Sequence, residues 1–132
     1  MKTDPRDAAS KGARAGAGPS GESVSPSNNI NPTAPIKRLR HLLTNENLWL
    51  YILSLIRMDK RIHAYALDER IYKEFSFKPN KIMIYVVLYK LENEGLILAE
   101  QEERRKYYTI TSKGIETLDL AKNHFKMLAR KL

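Results

Sequence analysis

Between Leu96 and Thr111 the sequence changes from helical to strand-like patterning and back again, and this switch constrains the fold more than any other feature. Leu96-Ile97-Leu98-Ala99 and Tyr107-Tyr108-Thr109-Ile110-Thr111 are β-prone, and Glu100 to Lys106 between them is wholly polar and mostly charged. The pattern predicts a hairpin with a longer loop. Strand alternation puts Tyr108 and Ile110 on one face and Tyr107 and Thr109 on the other, where Tyr107 is read as cross-strand packing or a contact residue.

The flanks are helical. Ile36 opens a first helical segment in which Lys37, Arg38 and Arg40 alternate with Leu39, Leu42 and Leu43, and Thr44, Asn45 and Asn47 offer capping side chains. Leu48 to Met58 follows as a segment apolar on nearly every side and therefore buried, with Trp49 in a core or interface role. Asp59-Lys60-Arg61 interrupts it. His63 to Phe75 predicts a second helix with Ala64, Leu67, Ile71 and Phe75 on one face. Ser76 to Asn80 is a turn, Pro79 is placed to open the next helix, and Lys81 to Glu94 is the third helix. Its inward stripe is Ile84, Val87, Leu88 and Leu91, and Gly95 ends it. After the hairpin, a helix from Ser112 runs almost to Leu132. On it Leu118, Ala121, Phe125, Leu128 and Leu132 recur at spacings of three and four, an a/d seam of about two heptads.

The chain has 132 residues, which suits one domain, but its composition changes near Ile36. Five of the six Pro and four of the six Gly lie in the first 35 residues, which contain no aromatic side chain. Such a segment buries too little apolar area to offset about 1–2 kcal/mol of backbone entropy per residue. Residues 1–35 are thus read as a disordered, Gly-, Pro- and Ser-rich basic tail, and residues 36–132 as the folded domain. Of the formal net charge of +8, the tail carries only +1, so the folded part is the basic part. A basic surface concentrates polyanions and points to nucleic acid, without choosing DNA over RNA, or to an anionic membrane surface. No apolar run reaches a membrane span, and the N-terminus lacks the apolar region of a signal peptide. With no Cys there is neither a disulfide framework nor a thiolate metal site, and the expectation is a cytoplasmic, nucleoid-associated protein.

Three helices, a hairpin and a closing helix make a winged helix-turn-helix: mainly α with a β-hairpin, plus a C-terminal dimerisation helix. In that arrangement the third helix offers its outer face to the major groove and the hairpin tip reaches alongside. The charges suit it. Lys78 and Lys81 lie at the start of helix three as candidate phosphate contacts, and Arg104, Arg105 and Lys106 lie on the second half of the hairpin tip. The same three could equally form a solvated loop balanced by Glu102 and Glu103, which are expected on the upstream side of the turn. Asn80 suits either adenine pairing or a helix cap, and Tyr85 either a backbone contact or a semi-buried core role.

These residues also resemble a family, the PadR-like transcriptional regulators, from about Leu48 to Leu118. His63-Ala64-Tyr65 is similar to the family's His-Gly-Tyr opening of helix two. Tyr85, Leu88, Leu91-Glu92 and Glu94-Gly95-Leu96-Ile97 resemble the end of its recognition helix. Arg104-Arg105-Lys106-Tyr107-Tyr108, Ile110-Thr111 and Lys113-Gly114 resemble its wing and the entry to its last helix. Where the family carries a Ser-Pro-Gly-Thr-like stretch, this chain has Asn80-Lys81-Ile82-Met83, so base specificity does not carry over. The resemblance implies a DNA-binding transcription regulator and a small-molecule effector, for which one sequence locates no pocket.

No catalytic pattern appears: there is no Gly-rich phosphate loop, no Gly-x-Ser-x-Gly and no His-Glu-x-x-His, so no enzyme and no cofactor are expected. His41, His63 and His124 are far apart without carboxylates at ligand spacing, which argues against a metal, and His63 is read as a helix-end hydrogen-bonding residue. The expected function is sequence-specific binding of double-stranded DNA by a homodimer that presents two recognition helices roughly 34 Å apart. The dimer is expected on the Leu118, Ala121, Phe125, Leu128 and Leu132 seam, unless that face packs on its own domain. Two other functions stay open: a protein–protein adaptor, and a non-specific, chromatin-like DNA- or RNA-binding protein.

Overall fold

The computed structural model describes residues 31–132, so most of the tail read at 1–35 lies outside the described residues. The chain divides after Arg38, and Leu39–Leu132 forms the unit that carries the core. Helix α1 (Ala34–Thr44) begins two residues ahead of the expected boundary. A 3-10 turn (Asn45–Asn47) leads into α2 (Leu48–Asp59), where the Asn47 side chain donates to the Leu42 carbonyl and the Tyr51 hydroxyl to that of Leu43.

Helix α2 is the centre of the unit. Leu48, Ile52, Leu53, Leu55 and Ile56 are buried, because the segment has no polar face to give to water. At about 1.5–3 kcal/mol for each fully buried aliphatic side chain, this helix contributes more to the apolar gain of folding than any other single element. Beyond it come β1 (Ile62–His63), a 3-10 turn (Ala64–Ala66) and α3 (Leu67–Phe75). Arg70 of α3 grips both carboxylate oxygens of Asp59 at 2.8 and 2.9 Å, which holds the Asp59 carboxyl below its ordinary pKa and fixes α3 to the end of α2.

Strand β1 corrects the helix expected from His63. Ile62 and His63 pair antiparallel with Tyr108 and Tyr107. The stripe Ala64, Leu67 and Ile71 is buried as expected, but α3 starts only at Leu67. Two residues carry no periodicity, and they become a strand because another strand offers them an open edge. The His63 side chain makes no cap hydrogen bond; its ring packs against Tyr65 and edge-on to Tyr107.

Helix α4 (Lys81–Asn93) follows the turn. Pro79 is buried ahead of the cap rather than at the first helical position. Gly95 ends α4 at φ +77°, a left-handed conformation that glycine adopts without strain. Strands β2 (Ile97–Glu102) and β3 (Arg105–Ile110) form a hairpin, and the sheet order is β1-β3-β2. The strands run further than expected, to the Glu102–Arg105 pair, leaving only Glu103 and Arg104 as the turn. Their outer halves are polar because they project beyond the core, so the backbone ladder continues where the apolar pattern stops. Glu103 thus belongs to the turn itself and not to its upstream side. Tyr107 is buried: the Arg61 guanidinium lies 3.6 Å from its ring centroid.

Helix α5 (Ser112–Lys131) starts at Thr111, whose hydroxyl accepts from the Gly114 N–H and donates to the Gly95 carbonyl. It packs on α2. At Gly114 a Cβ would run into the Leu96 carbonyl oxygen, and would stand 2.7 Å from Ile110 Cγ1. Gly114→Ala should therefore cost about 1–3 kcal/mol or more by overpacking against backbone, lowering the thermal midpoint by at least about 4 °C. Gly95→Ala meets open space and should cost only the left-handed strain, about 1–2 kcal/mol. Thermal unfolding followed by circular dichroism checks both.

Candidate nucleic-acid interface

The turn between α3 and α4 brings the expected basic residues beside acids that the sequence reading did not connect to them. Lys78 Nζ donates to Glu69 Oε2 at 2.9 Å, and that hydrogen bond raises the lysine's pKa above its ordinary value. Lys81 Nζ lies 3.7 Å from Asp68 Oδ2. Asp68 is only 4% exposed, and its other oxygen accepts the Glu69 N–H at 2.8 Å. Both lysines are thus tied to α3. The exposed Lys78–Glu69 pair is worth about 0–1 kcal/mol, whereas Lys81 answers a buried carboxylate and its removal would leave Asp68 without that countercharge. The signal was present as two adjacent acids in the first turn of α3, but only the crossing of α3 and α4 makes them neighbours.

Asn80 is a helix cap. Its Oδ1 accepts from the N–H of Ile82 at 2.7 Å and of Met83 at 3.4 Å. Tyr85 is exposed on α4 rather than semi-buried. Ile84, Leu88 and Leu91 are buried and Val87 is partly so, as the inward stripe requires. The opposite face of α4 is also largely apolar, and the inward stripe alone did not reveal it. Ile82 is 72% exposed and Tyr89 66%, with Val86 and Met83 exposed as well.

The wing separates the three expected basic residues. Arg104 is in the turn. Arg105 lies on the strand face shared with Tyr107, where its guanidinium approaches the Tyr65 hydroxyl at 3.3 Å, while Arg61 of the same region pairs with Glu102. Lys106 lies on the other face, shared with Tyr108, whose burial raises its phenol pKa. Helix α4 packs against β2 of this hairpin. The expected cluster is therefore two opposed faces and a tip, because strand alternation divides adjacent residues.

The proposed seam on α5 is also divided. Leu118 is buried in the unit's own core, Ala121 is partly covered, and Phe125, Leu128 and Leu132 are exposed. From Asp119 onward α5 contains no buried residue. A groove of ≈ 610 Å³ beside it is lined by Leu43, Leu50, Tyr51, Met58, Phe75 and Phe125 among others. Among the described residues no helix is long and apolar enough to cross a membrane, and no three His, Asp or Glu side chains gather as a metal site.

A helix-turn-helix followed by a β-hairpin, with β1 from ahead of α3 completing the sheet, defines a winged-helix protein, and solved structures share the fold. A PadR-family transcriptional regulator from Eggerthella lenta is similar with a TM-score of 0.64 at 22% identity, over 74% of this chain and 88% of that one. A winged-helix DNA-binding protein from STIV is similar with a TM-score of 0.55 at 20% identity, over 61% and 87%. A PadR-like transcriptional regulator from Bacillus cereus is 30% identical over 72% of this chain and 91% of that one, with a TM-score of 0.53. No curated protein matches the sequence. The profile of the transcriptional regulator PadR-like family matches residues 52–120, more than half of the chain, from within α2 to within α5. The chain belongs to the PadR-like family of transcriptional regulators.

The cap gives a test of what Asn80 does. Asn80→Ala should destabilise the protein by about 0.5–2 kcal/mol, and Asn80→Ser should restore most of that. Equilibrium denaturation of both variants checks it.

Proposed function

We propose that this chain binds double-stranded DNA sequence-specifically, as a homodimeric regulator of transcription acting in the cytoplasm on the nucleoid and without catalysis. Membership of a family of transcription regulators supports the general reading. The observation that carries the specific one is the open outer face of α4, capped at Asn80 and flanked by a hairpin whose tip and α4-side bear Arg104 and Lys106. A helix presented in this way fits a major groove, and a tip of this charge reaches the phosphates beside it. Lys78, Lys81 and Tyr85 would lie at the edge of that contact, with Arg105 on the far face of the wing. Homodimerisation is supported by α5, whose half after Leu118 has no buried residue while Phe125, Leu128 and Leu132 face solvent. An isolated helical segment of that length is marginal in water, and a second copy would cover it. The groove beside Phe125 is the natural place for a small apolar effector or for the partner's helix.

Selection of bound duplexes from a random pool tests the whole reading, and a palindromic enriched site is the expected result. Failure to bind any duplex at low salt would return the adaptor function, and equal competition by unrelated DNA or RNA the non-specific one. On the selected site, Arg104→Ala with Lys106→Ala should make the slope of log affinity against log salt shallower by about 2 per protomer, at about 0.9 per phosphate released. Arg105→Ala should change it less, because its guanidinium is engaged on the opposite face. Phe125→Glu with Leu128→Glu should halve the mass seen in sedimentation equilibrium, and an unchanged mass would place the interface elsewhere.

A further inference from the structure

The outer face of α4 is chemically unusual for a surface that meets nucleic acid. Ile82, Val86 and Tyr89 fall within an arc of about 60° on the helix, with Tyr85 beside them, and all four are exposed. From Lys81 to Leu91 the helix has no Arg, Asn or Gln, and of the side chains that pair with guanine or adenine it carries only Lys81 and Lys90, at the flanks of this face. Asn80 has its acceptor committed to the Ile82 and Met83 N–H groups, and Lys81 stands beside Asp68. The same stretch has no acidic residue, and a lysine stands near each end, Lys81 and Lys90. An anionic duplex is therefore attracted to the flanks of this face and meets no repulsion along it, and this favours DNA over a protein partner as its occupant.

We infer that α4 reads DNA by apolar contact, with Ile82 and Val86 packing on the C5-methyl groups of thymines in the major groove and the Tyr89 ring extending that surface. The inference rests on the duplex-binding reading above and adds the feature of the DNA that is recognised. The thymine methyl is the one apolar group that base edges present in the major groove, so a face with an aliphatic centre and lysines only at its flanks can discriminate through it. Lysines and the wing supply affinity to the backbone, while the methyl contacts supply the choice of base.

The experiment replaces thymidine by deoxyuridine, one position at a time, on both strands of the selected duplex, and measures binding of the full chain by fluorescence anisotropy. The exchange removes a methyl and leaves pairing and phosphates intact. Two or more positions per half-site should weaken binding by about fourfold each, the value of one buried methyl group. In Ile82→Ser with Val86→Ser these penalties should vanish while the salt slope stays unchanged. Both positions are exposed, so the fold should survive, and the deoxyuridine series on the unaltered chain stands without the variant. Tight duplex binding that is indifferent to every methyl would overturn the inference alone and leave the face to a protein partner. Penalties that persist undiminished in the double variant would overturn the assignment to Ile82 and Val86. Absence of duplex binding by the unaltered chain would overturn the function on which the inference rests.

Discussion

Helix α2 has to bury a broad apolar face running from Leu48 through Ile52 and Leu53 to Leu55 and Ile56, and the rest of the unit is arranged around that requirement. Its Leu48, Ile52, Leu53, Leu55 and Ile56 are covered by α3, α4, α5 and the strands β1 and β3. Each covering element gives α2 its apolar stripe and keeps its other face for solvent. Since α4 contributes Ile84, Leu88 and Leu91 to the core, its outward face is determined by helix geometry as soon as the inward one is seated. The exposed outer face of α4 is thus a by-product of burying α2. The Asp59–Arg70 pair ties α3 to the end of α2 across the intervening β1 and 3-10 turn.

Electrostatics at the helix-turn-helix does more than collect positive charge. Lys78 and Lys81 are held by Glu69 and Asp68 across the turn, so two of the basic residues stabilise the crossing in the free protein. The wing is arranged differently. One of its faces mixes Arg61, Arg105, Glu100 and Glu102 over the Tyr107 ring, whereas the tip and the other face carry Arg104 and Lys106. Basic charge on the tip and α4 side of the wing is therefore smaller than a count of arginines and lysines suggests, and more directional.

How much was legible in the sequence differs by element. Four of the helices, the hairpin and the glycine stop at Gly95 could be read from periodicity and turn chemistry, because those signals are local. Gly95 and Gly114 illustrate the limit: the first was read as a helix stop and is needed for its positive φ, whereas the second lies in the first turn of α5 and is needed for the closeness of the Leu96 carbonyl. Strand β1 was not legible, since Ile62 and His63 become a strand only by pairing with β3. The length of the wing was not legible either, because polar residues can extend a ladder without any apolar signature. Among site residues, the cap at Asn80 could be read and weighed, while the lysine partners on α3 and the apolar outer face of α4 could not be assigned before the helices were packed.

By itself the sequence determined the class of fold, the basic character of the folded part, the inward stripe of α4 and its family, because each rests on composition or on spacing along one element. Tertiary structure decided which lysines are engaged, which wing residues share a face and whether Leu118 belongs to the core or to a surface seam. The physical reason is the same throughout. Side chains close in space but distant in the chain interact through packing, pairing and charge, and no periodicity within a segment records which segment will lie against it.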